Sequence, residues 1–331
     1  MIFLTNRPIL QSNNKTNKRF GSFSIDVDTL EADLTNGKGK NHNIKQSELS
    51  EVSYTRFLPR FLDLCDKHNV KATFFIIGKH ALNKTNRRLI RTISDNDHEI
   101  ANHTMNHFKH FAHLSEKEIE EEIAESDKIL SNITGKAVVG FKAPGFVVNK
   151  NIFRVLTERG YSYDASLLPS FVYNVVKMFL KISMFKDDMN IQNLKLCFAP
   201  TMPFHPNSGK IGKAAFNHKF LEIPVNVIPF IRFPFVNYIF AFFNYRFMNS
   251  CYSIMRKSKQ VLNYSFHDLE FADSSDFQKV GNIADTFLFT RKIIKKDWEE
   301  RVHQVENIFL SFGDDHRLVP LKDLASSIAN R

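Results

Sequence analysis

Five residues, Ser24-Ile25-Asp26-Val27-Asp28, constrain this chain more than any others. Phe23, Ile25 and Val27 alternate with polar residues and read as a buried strand that ends in two carboxylates. Asp26 and Asp28 are two apart, so on a strand both leave the same face. Two carboxylates at one strand end repel each other. The arrangement is tolerated when a cation lies between them or when one stays protonated. Functional side chains of parallel α/β sheets and barrels gather where strands end, so this stretch also says where chemistry should be sought.

The rest of the chain alternates in the same manner. Residues 72–77 (ATFFII) form a continuous apolar run, as expected of a buried parallel strand, and Gly78 closes it. Before it, Leu58, Phe61, Leu62 and Cys65 make one helical stripe, with Pro59 in the first turn or marking a kink. A basic helix over about residues 81–95 leads to a short strand starting at His98. Ser115 and Glu118 form a capping box that opens a helix with Ile119, Ile123, Leu130 and Ile133 inward, and Gly135 ends it. A strand over residues 138–141 ends at Lys142, and a helix follows from Lys150 to Arg159. Near the C-terminus a helix from Asp297 to Phe312, a strand from Arg317 to Val319 and a terminal helix complete the pattern. Strand and helix in alternation predict an α/β fold with a parallel sheet or barrel.

His103 and His107 are four apart. On a helix they would share one face, a common way to present two imidazoles to zinc. No Glu follows His103, so this is not the H-E-x-x-H signature. A surface run of histidines is the competing reading, since His98, His110 and His113 lie nearby. With the Asp pair upstream, the pattern fits two histidines and one carboxylate with positions left open.

Taken in order, these motifs resemble the polysaccharide deacetylases of the NodB-like type. The resemblance runs from about Phe23 to about Phe271. It rests on the strand end Ser24 to Asp28, on His103 to His107, on Gly140 to Gly145 in place of an R-x-P segment, on Glu222 to Val225, and on the strand ending in His267. It implies an irregular, incomplete (β/α) barrel and hydrolysis of an N-acyl group, acetyl or formyl, from a sugar of a glycan or a lipid-linked saccharide. It also implies a divalent transition metal, zinc being the expected ion, held by Asp28, His103 and His107. Asp26 takes the place of the base, His267 that of the general acid, and the backbone N–H of Gly145 that of the oxyanion donor. Pro144 and Asp164 fall on the substrate side.

The pattern also departs from the family. Lys142 stands where an Arg is usual, replacing a fixed fork by a point charge on a flexible stem. The carboxylate that should pair with the acid histidine is not identifiable, although Glu222 and Glu270 are candidates for orienting neighbours. Two other functions stay open: a glycosyltransferase using Asp26 and Asp28 as a D-x-D site, and a non-catalytic glycan- or membrane-binding relative.

Net charge is +10, which favours an anionic partner such as a membrane surface or an acidic glycan. No nucleic-acid module is present in the sequence, so nucleic acid is not expected. Cys65, Cys197 and Cys251 show no paired spacing, and the N-terminus lacks the apolar core of a signal peptide. Both point to a cytoplasmic protein, peripheral at the inner membrane face if it meets lipid. Residues 1–20 read as a polar leader, and residues 21–331 as one catalytic domain with an aromatic-rich insertion over about 167–256. Residues 29–50 form a long polar loop placed to meet substrate or solvent. The insertion mixes Phe and Tyr with spaced Lys and Arg, and no run reaches the roughly 18 apolar residues of a membrane span. It is either an aromatic cover over the barrel or an element that lies on a membrane.

Overall fold

The computed structural model describes residues 18–29, 50–175, 178, 194–207, 210–214, 220–240, 243, 245–258, 260–278 and 293–329. The predicted leader, apart from its last residues, most of the loop over 29–50 and part of the aromatic insertion lie outside these residues.

Strand β1 (Arg19–Val27) is the axis of the sheet. Its start pairs with β10 (His316–Leu318) and its end with β2 (Thr73–Ile76). Along its other edge runs β9 (Leu262–His267), with Asp26 in register with His267. From β2 the sheet continues through β3 (Glu99–Asn102), β4 (Gly140–Phe141), β5 (Tyr163–Asp164) and β8 (Leu221–Glu222), every neighbour parallel. A separate antiparallel pair, β6 (Pro206–Asn207) and β7 (Lys210–Ala214), lies between β5 and β8 in sequence. No ladder joins β8 to β9 among the described residues. Side-chain amides bridge that seam instead: Asn263 donates to the carbonyl of Ile223 at 3.0 Å, and the Asn226 side chain accepts from the Asn263 N–H at 2.6 Å. The irregular, incomplete barrel expected from the sequence is therefore what forms.

The two faces of the strands differ. Phe23, Ile25 and Val27 join the large core beneath the helices, together with Phe74, Ile76, Tyr264 and Phe266. Helices α1 (Leu58–Lys67), α2 (Lys84–Asp95), α3 (Glu116–Thr134), α4 (Lys150–Glu158), α5 (Asn237–Phe240), α6 (Tyr245–Lys257) and α7 (Trp298–Asp315) contribute apolar residues to it. The capping box at Ser115 and Glu118 is formed, and Gly135 ends α3 in the left-handed conformation at φ 68°. On the inner face Phe75, Ala101, Tyr163 and Leu221 pack against Leu321, Leu324 and Ala325 of α8 (Leu321–Ala329), which plugs the end where strands begin. The other end, where strands finish, stays polar.

Several predicted elements are shorter than their patterns. The strand expected over 138–141 is only Gly140–Phe141, and that expected over Glu222–Val225 is Leu221–Glu222. Past Glu222 the register slips, because the Val225 N–H donates to the Leu167 carbonyl at 2.8 Å, one residue beyond its ladder partner. The basic helix starts at Lys84, where the Asn83 side chain accepts from the N–H groups of Thr85 and Asn86; residues Gly78–Leu82 form a 3₁₀ turn before it.

Candidate active site

Asp26 and Asp28 leave the end of β1 toward different partners. The Lys142 ammonium lies 2.7 Å from each Asp26 oxygen and donates to Ser265 Oγ at 2.9 Å. Lys142 is 1% exposed and sits between the rings of Phe75 (5.3 Å) and Phe146 (5.0 Å). The flexibility expected of a Lys in this place is thus removed by packing. Asp28 instead turns to the histidines. One oxygen lies 3.2 Å from His103 Nε2 and 3.3 Å from His107 Nε2. Enclosure by protein works to raise the Asp28 pKa, but His107 and His103 outweigh it and hold the carboxyl well below its ordinary range.

The two histidines converge without a helix, which corrects the expectation from their spacing. Residues 103–107 form a loop after β3, with Thr104 at φ 66° and His107 at φ 56°. Left-handed residues other than Gly are uncommon and need outside support. Here Asn102 Oδ1 accepts from the Thr104 N–H, Thr104 Oγ1 accepts from the His107 N–H, and the Glu122 carboxylate holds Asn106. Gly78 donates to the Thr104 carbonyl at 2.9 Å. A Cβ on Gly78 would come within 2.7 Å of Met105 Sδ and 2.9 Å of the Ser126 Cα, so only glycine admits this approach.

Asp28, His103 and His107 offer ligand atoms within 4.8 Å of one another. Their chemistry fits a divalent metal. His103 Nδ1 lies 2.6 Å from the Lys142 carbonyl and so carries a proton, which makes Nε2, the nitrogen facing Asp28, the one that would ligate a metal. Separations of 3.2 and 3.3 Å match the roughly 3.4 Å edge of a tetrahedron with ligands about 2.1 Å from zinc.

His267 faces both carboxylates, with Nε2 3.7 Å from Asp26 and 4.0 Å from Asp28. Its other nitrogen lies 3.6 Å from Glu270 Oε1. Burial disfavours the imidazolium, but Glu270, Asp26 and Asp28 outweigh that and raise the pKa to about 9. Glu270 is thus the carboxylate beside this histidine that the sequence did not single out. It accepts from the His267 N–H at 2.8 Å and from the Asn237 amide. A His followed three residues later by Glu at a strand end was the available signal. Ser265 and Tyr238, whose ring meets His267 edge-on at 5.5 Å, carried none.

The remaining predicted residues are placed as follows. Gly145 is exposed at φ 70°, three residues after Lys142, and Pro144 is buried beside it. Asp164 has no exposed surface, so it does not face a solute directly. Ser166 donates to it and accepts from the Ala143 N–H, which ties β5 to the turn after Lys142. Burial raises the Asp164 pKa to about 6 and that of Glu222, its neighbour in register, well above the usual range.

Residues 51–163 match the profile of the polysaccharide deacetylase family. A peptidoglycan-N-acetylglucosamine deacetylase of Bacillus cereus is 32% identical over 105 residues, which is 32% of this chain and 37% of that protein. A peptidoglycan deacetylase of Helicobacter pylori is 31% identical over 111 residues, 34% of this chain and 37% of its own length. The chain thus spans little more than a third of these relatives. A crystal structure from Mycobacterium smegmatis, named as a polysaccharide deacetylase, superposes with a TM-score of 0.59 at 17% identity, covering 94% of this chain and 91% of that one. An allantoinase structure superposes with a TM-score of 0.57 at 15% identity, covering 94% and 91%. These two establish the fold.

Proposed function

We propose, from the match of residues 51–163 to the polysaccharide deacetylase profile, that the chain is a metal-dependent hydrolase removing an N-acyl group from a sugar. The observation that carries this reading is the convergence of three metal-ligand side chains, Asp28, His103 and His107, beside a carboxylate and a histidine in register on adjacent strands. The relatives named above act on peptidoglycan, which makes an N-acetylated amino sugar the first substrate to try.

Asp28, His103 and His107 would hold the ion, and a divalent cation there supplies Lewis-acid activation of water and of the acyl carbonyl. Asp26 accepts the proton of the attacking water. Lys142 fixes the direction of that carboxylate by engaging both of its oxygens. His267 enters as the imidazolium and gives its proton from Nε2 to the leaving nitrogen. Glu270, on the far side of the ring, steadies the charged imidazole. The Gly145 N–H is the proposed donor to the oxyanion. A D-x-D transferase would need Asp26 and Asp28 to work as a pair on one ion. Here Asp26 is committed to Lys142 and Asp28 to the histidines.

The test is elemental analysis of protein purified without added metal, beside Asp28→Ala and His103→Ala, followed by assay of released acetate or formate from N-acyl amino sugars. About one zinc, cobalt, iron or nickel per chain, lost in both variants, is the expected result. Absence of a transition metal from the wild type, even after reconstitution, would overturn the reading.

A further inference from the structure

The aromatic insertion has a surface that the proposed reaction does not use. Of the thirteen large apolar side chains that are exposed among the described residues, ten lie between Phe171 and Ile254. Scattered exposed apolar residues are ordinary, but the rings of Phe243 and Phe247 lie 4.6 Å apart and both meet Phe233, so part of this set is contiguous, and a contiguous apolar patch marks an interaction surface.

Its most prominent part is a turn. Val227 and Pro234 pair across an antiparallel bridge, and the chain between them projects. At its tip Phe230 is 100% exposed and Ile231 is 63% exposed. Phe230 and Arg232 both have left-handed backbones, at φ 66° and 49°, which bulky residues seldom adopt. The Arg232 guanidinium stabilises this shape: it donates to the carbonyls of Cys197 at 2.6 Å and Ala199 at 2.9 Å. Phe198, between those two carbonyls, is itself 75% exposed. The tip is therefore held outward by polar contacts at its base. The Arg that binds it down also ties it to the next exposed aromatic.

Charge names the partner. Residues 167–256 hold ten Lys and Arg against three Asp and Glu, and one of the three, Glu222, is fully buried. Most of the chain's net +10 is thus carried by this segment. Exposed Phe and Ile in a segment whose sequence is this rich in cations match a bilayer with anionic headgroups, where apolar side chains enter the acyl boundary and cations meet the headgroups. A water-soluble glycan can stack a sugar face on an aromatic ring, but it gives the aliphatic tip residue Ile231 no apolar phase to enter. No helix of the described residues is long and apolar enough to cross a membrane, so the contact is a surface one.

We propose that the turn carrying Phe230 and Ile231, with Phe198 beside its base, docks the protein on an anionic lipid surface, Phe230 and Ile231 being the inserted tip. The base of the turn packs through Val227 and Val236 into a small cluster with Phe146 and Tyr238. These two residues touch Lys142 and His267. If the proposed reaction is correct, docking brings the site to sugars attached to membrane lipids; the docking itself does not depend on that reaction.

The experiment is co-sedimentation of the full chain with phosphatidylglycerol-containing vesicles and with phosphatidylcholine vesicles, together with sedimentation velocity without lipid. Binding to the anionic vesicles, weakened by salt, is expected. Phe230→Asp should reduce it about tenfold, and so should Phe198→Asp. Both sites are exposed, and Asp tolerates the left-handed backbone at 230. The proposal is overturned if the wild type stays in solution with anionic vesicles at low salt, or if Phe230→Asp binds as the wild type does. It is equally overturned if the wild type forms a dimer that Phe230→Asp dissociates while lipid is ignored. Vesicle binding needs no metal and no turnover, so loss of the proposed reaction would not be mistaken for loss of docking.

Discussion

The carbonyl oxygen of Lys142 lies 2.6 Å from Nδ1 of His103, while its ammonium lies 2.7 Å from both oxygens of Asp26. One residue therefore sets the tautomer of a metal-ligand histidine through its backbone and the direction of the candidate base through its side chain. The two effects can be separated by mutation, because a substitution leaves the carbonyl in place.

Lys142→Met should retain metal and lose turnover. It also leaves Asp26 buried without its partner, which costs about 3–5 kcal/mol. The double variant Asp26→Asn with Lys142→Met should recover much of that loss. Urea unfolding of the three proteins, beside their metal content, checks both statements. Lys142→Arg must fit a larger head between Phe75 and Phe146, and about 1–3 kcal/mol of overpacking is expected. An arginine variant more active than the wild type would contradict this account of the site.

The loop that carries both histidines depends on Asn102. Its side chain accepts from the Thr104 N–H and donates to the Ile123 carbonyl and to the Tyr161 hydroxyl. Asn102→Ala removes these supports without touching a ligand. Metal affinity should fall by about 10–100-fold, measured by competition with a chelating dye. Unchanged affinity would mean that the loop holds its shape by other means.

Glu270 is expected to act through His267. Glu270→Gln removes a charge that raises the imidazolium pKa, so that pKa should move down from about 9 toward 6.5. An NMR titration of the histidine in metal-free protein reads this directly. In the enzyme the alkaline limb of the kcat profile should shift to lower pH, because less of the general acid stays protonated. A variant with lower kcat and an unmoved profile would assign Glu270 a structural role only.

Glu99 lies at the opposite end of the barrel, beneath the start of α8. It accepts from Thr73, from the Tyr163 hydroxyl and from the Lys322 N–H. Burial dominates and raises its pKa from 4.5 to about 7. A raised pKa means that folding takes up a proton. The stability this gives is complete below pH 4.5 and is lost as pH rises through 7. Glu99→Gln should flatten the dependence of the unfolding free energy across that window, as read from urea midpoints at several pH values. An equal slope in both proteins would show that Glu99 does not titrate there.

Most of the helical framework was legible from local pattern. The stripe from Leu58 to Cys65, the capping box at Ser115 and the left-handed Gly135 depend on neighbours within one or two turns, and all are formed. Strand lengths were less legible, because a ladder ends where its partner does. Apolar runs do not record that, so β4 and β8 are only two residues long. The exposed tip at Phe230 could not be told from a core aromatic, because Phe233 and Phe235 a few residues on do pack inward.

The sequence by itself determined which residue types could meet: a strand ending in Asp26 and Asp28, a pair of histidines, a lysine closing a short strand, and a histidine closing a late strand. These follow from period and spacing along one chain. Tertiary structure decided how they divide the work. Asp26 and Asp28 leave the same strand end, yet one is taken by Lys142 and the other by His103 and His107. The histidine spacing suggested a helix, whereas a strained loop braced by Asn102, Glu122 and Gly78 brings the rings together. Glu270 gained its place only because β9 lies beside β1 in parallel register. The physical reason is common to all three. The energy of a buried charge depends on what stands within a few ångströms of it, and in a parallel barrel those neighbours come from strands far apart in the chain.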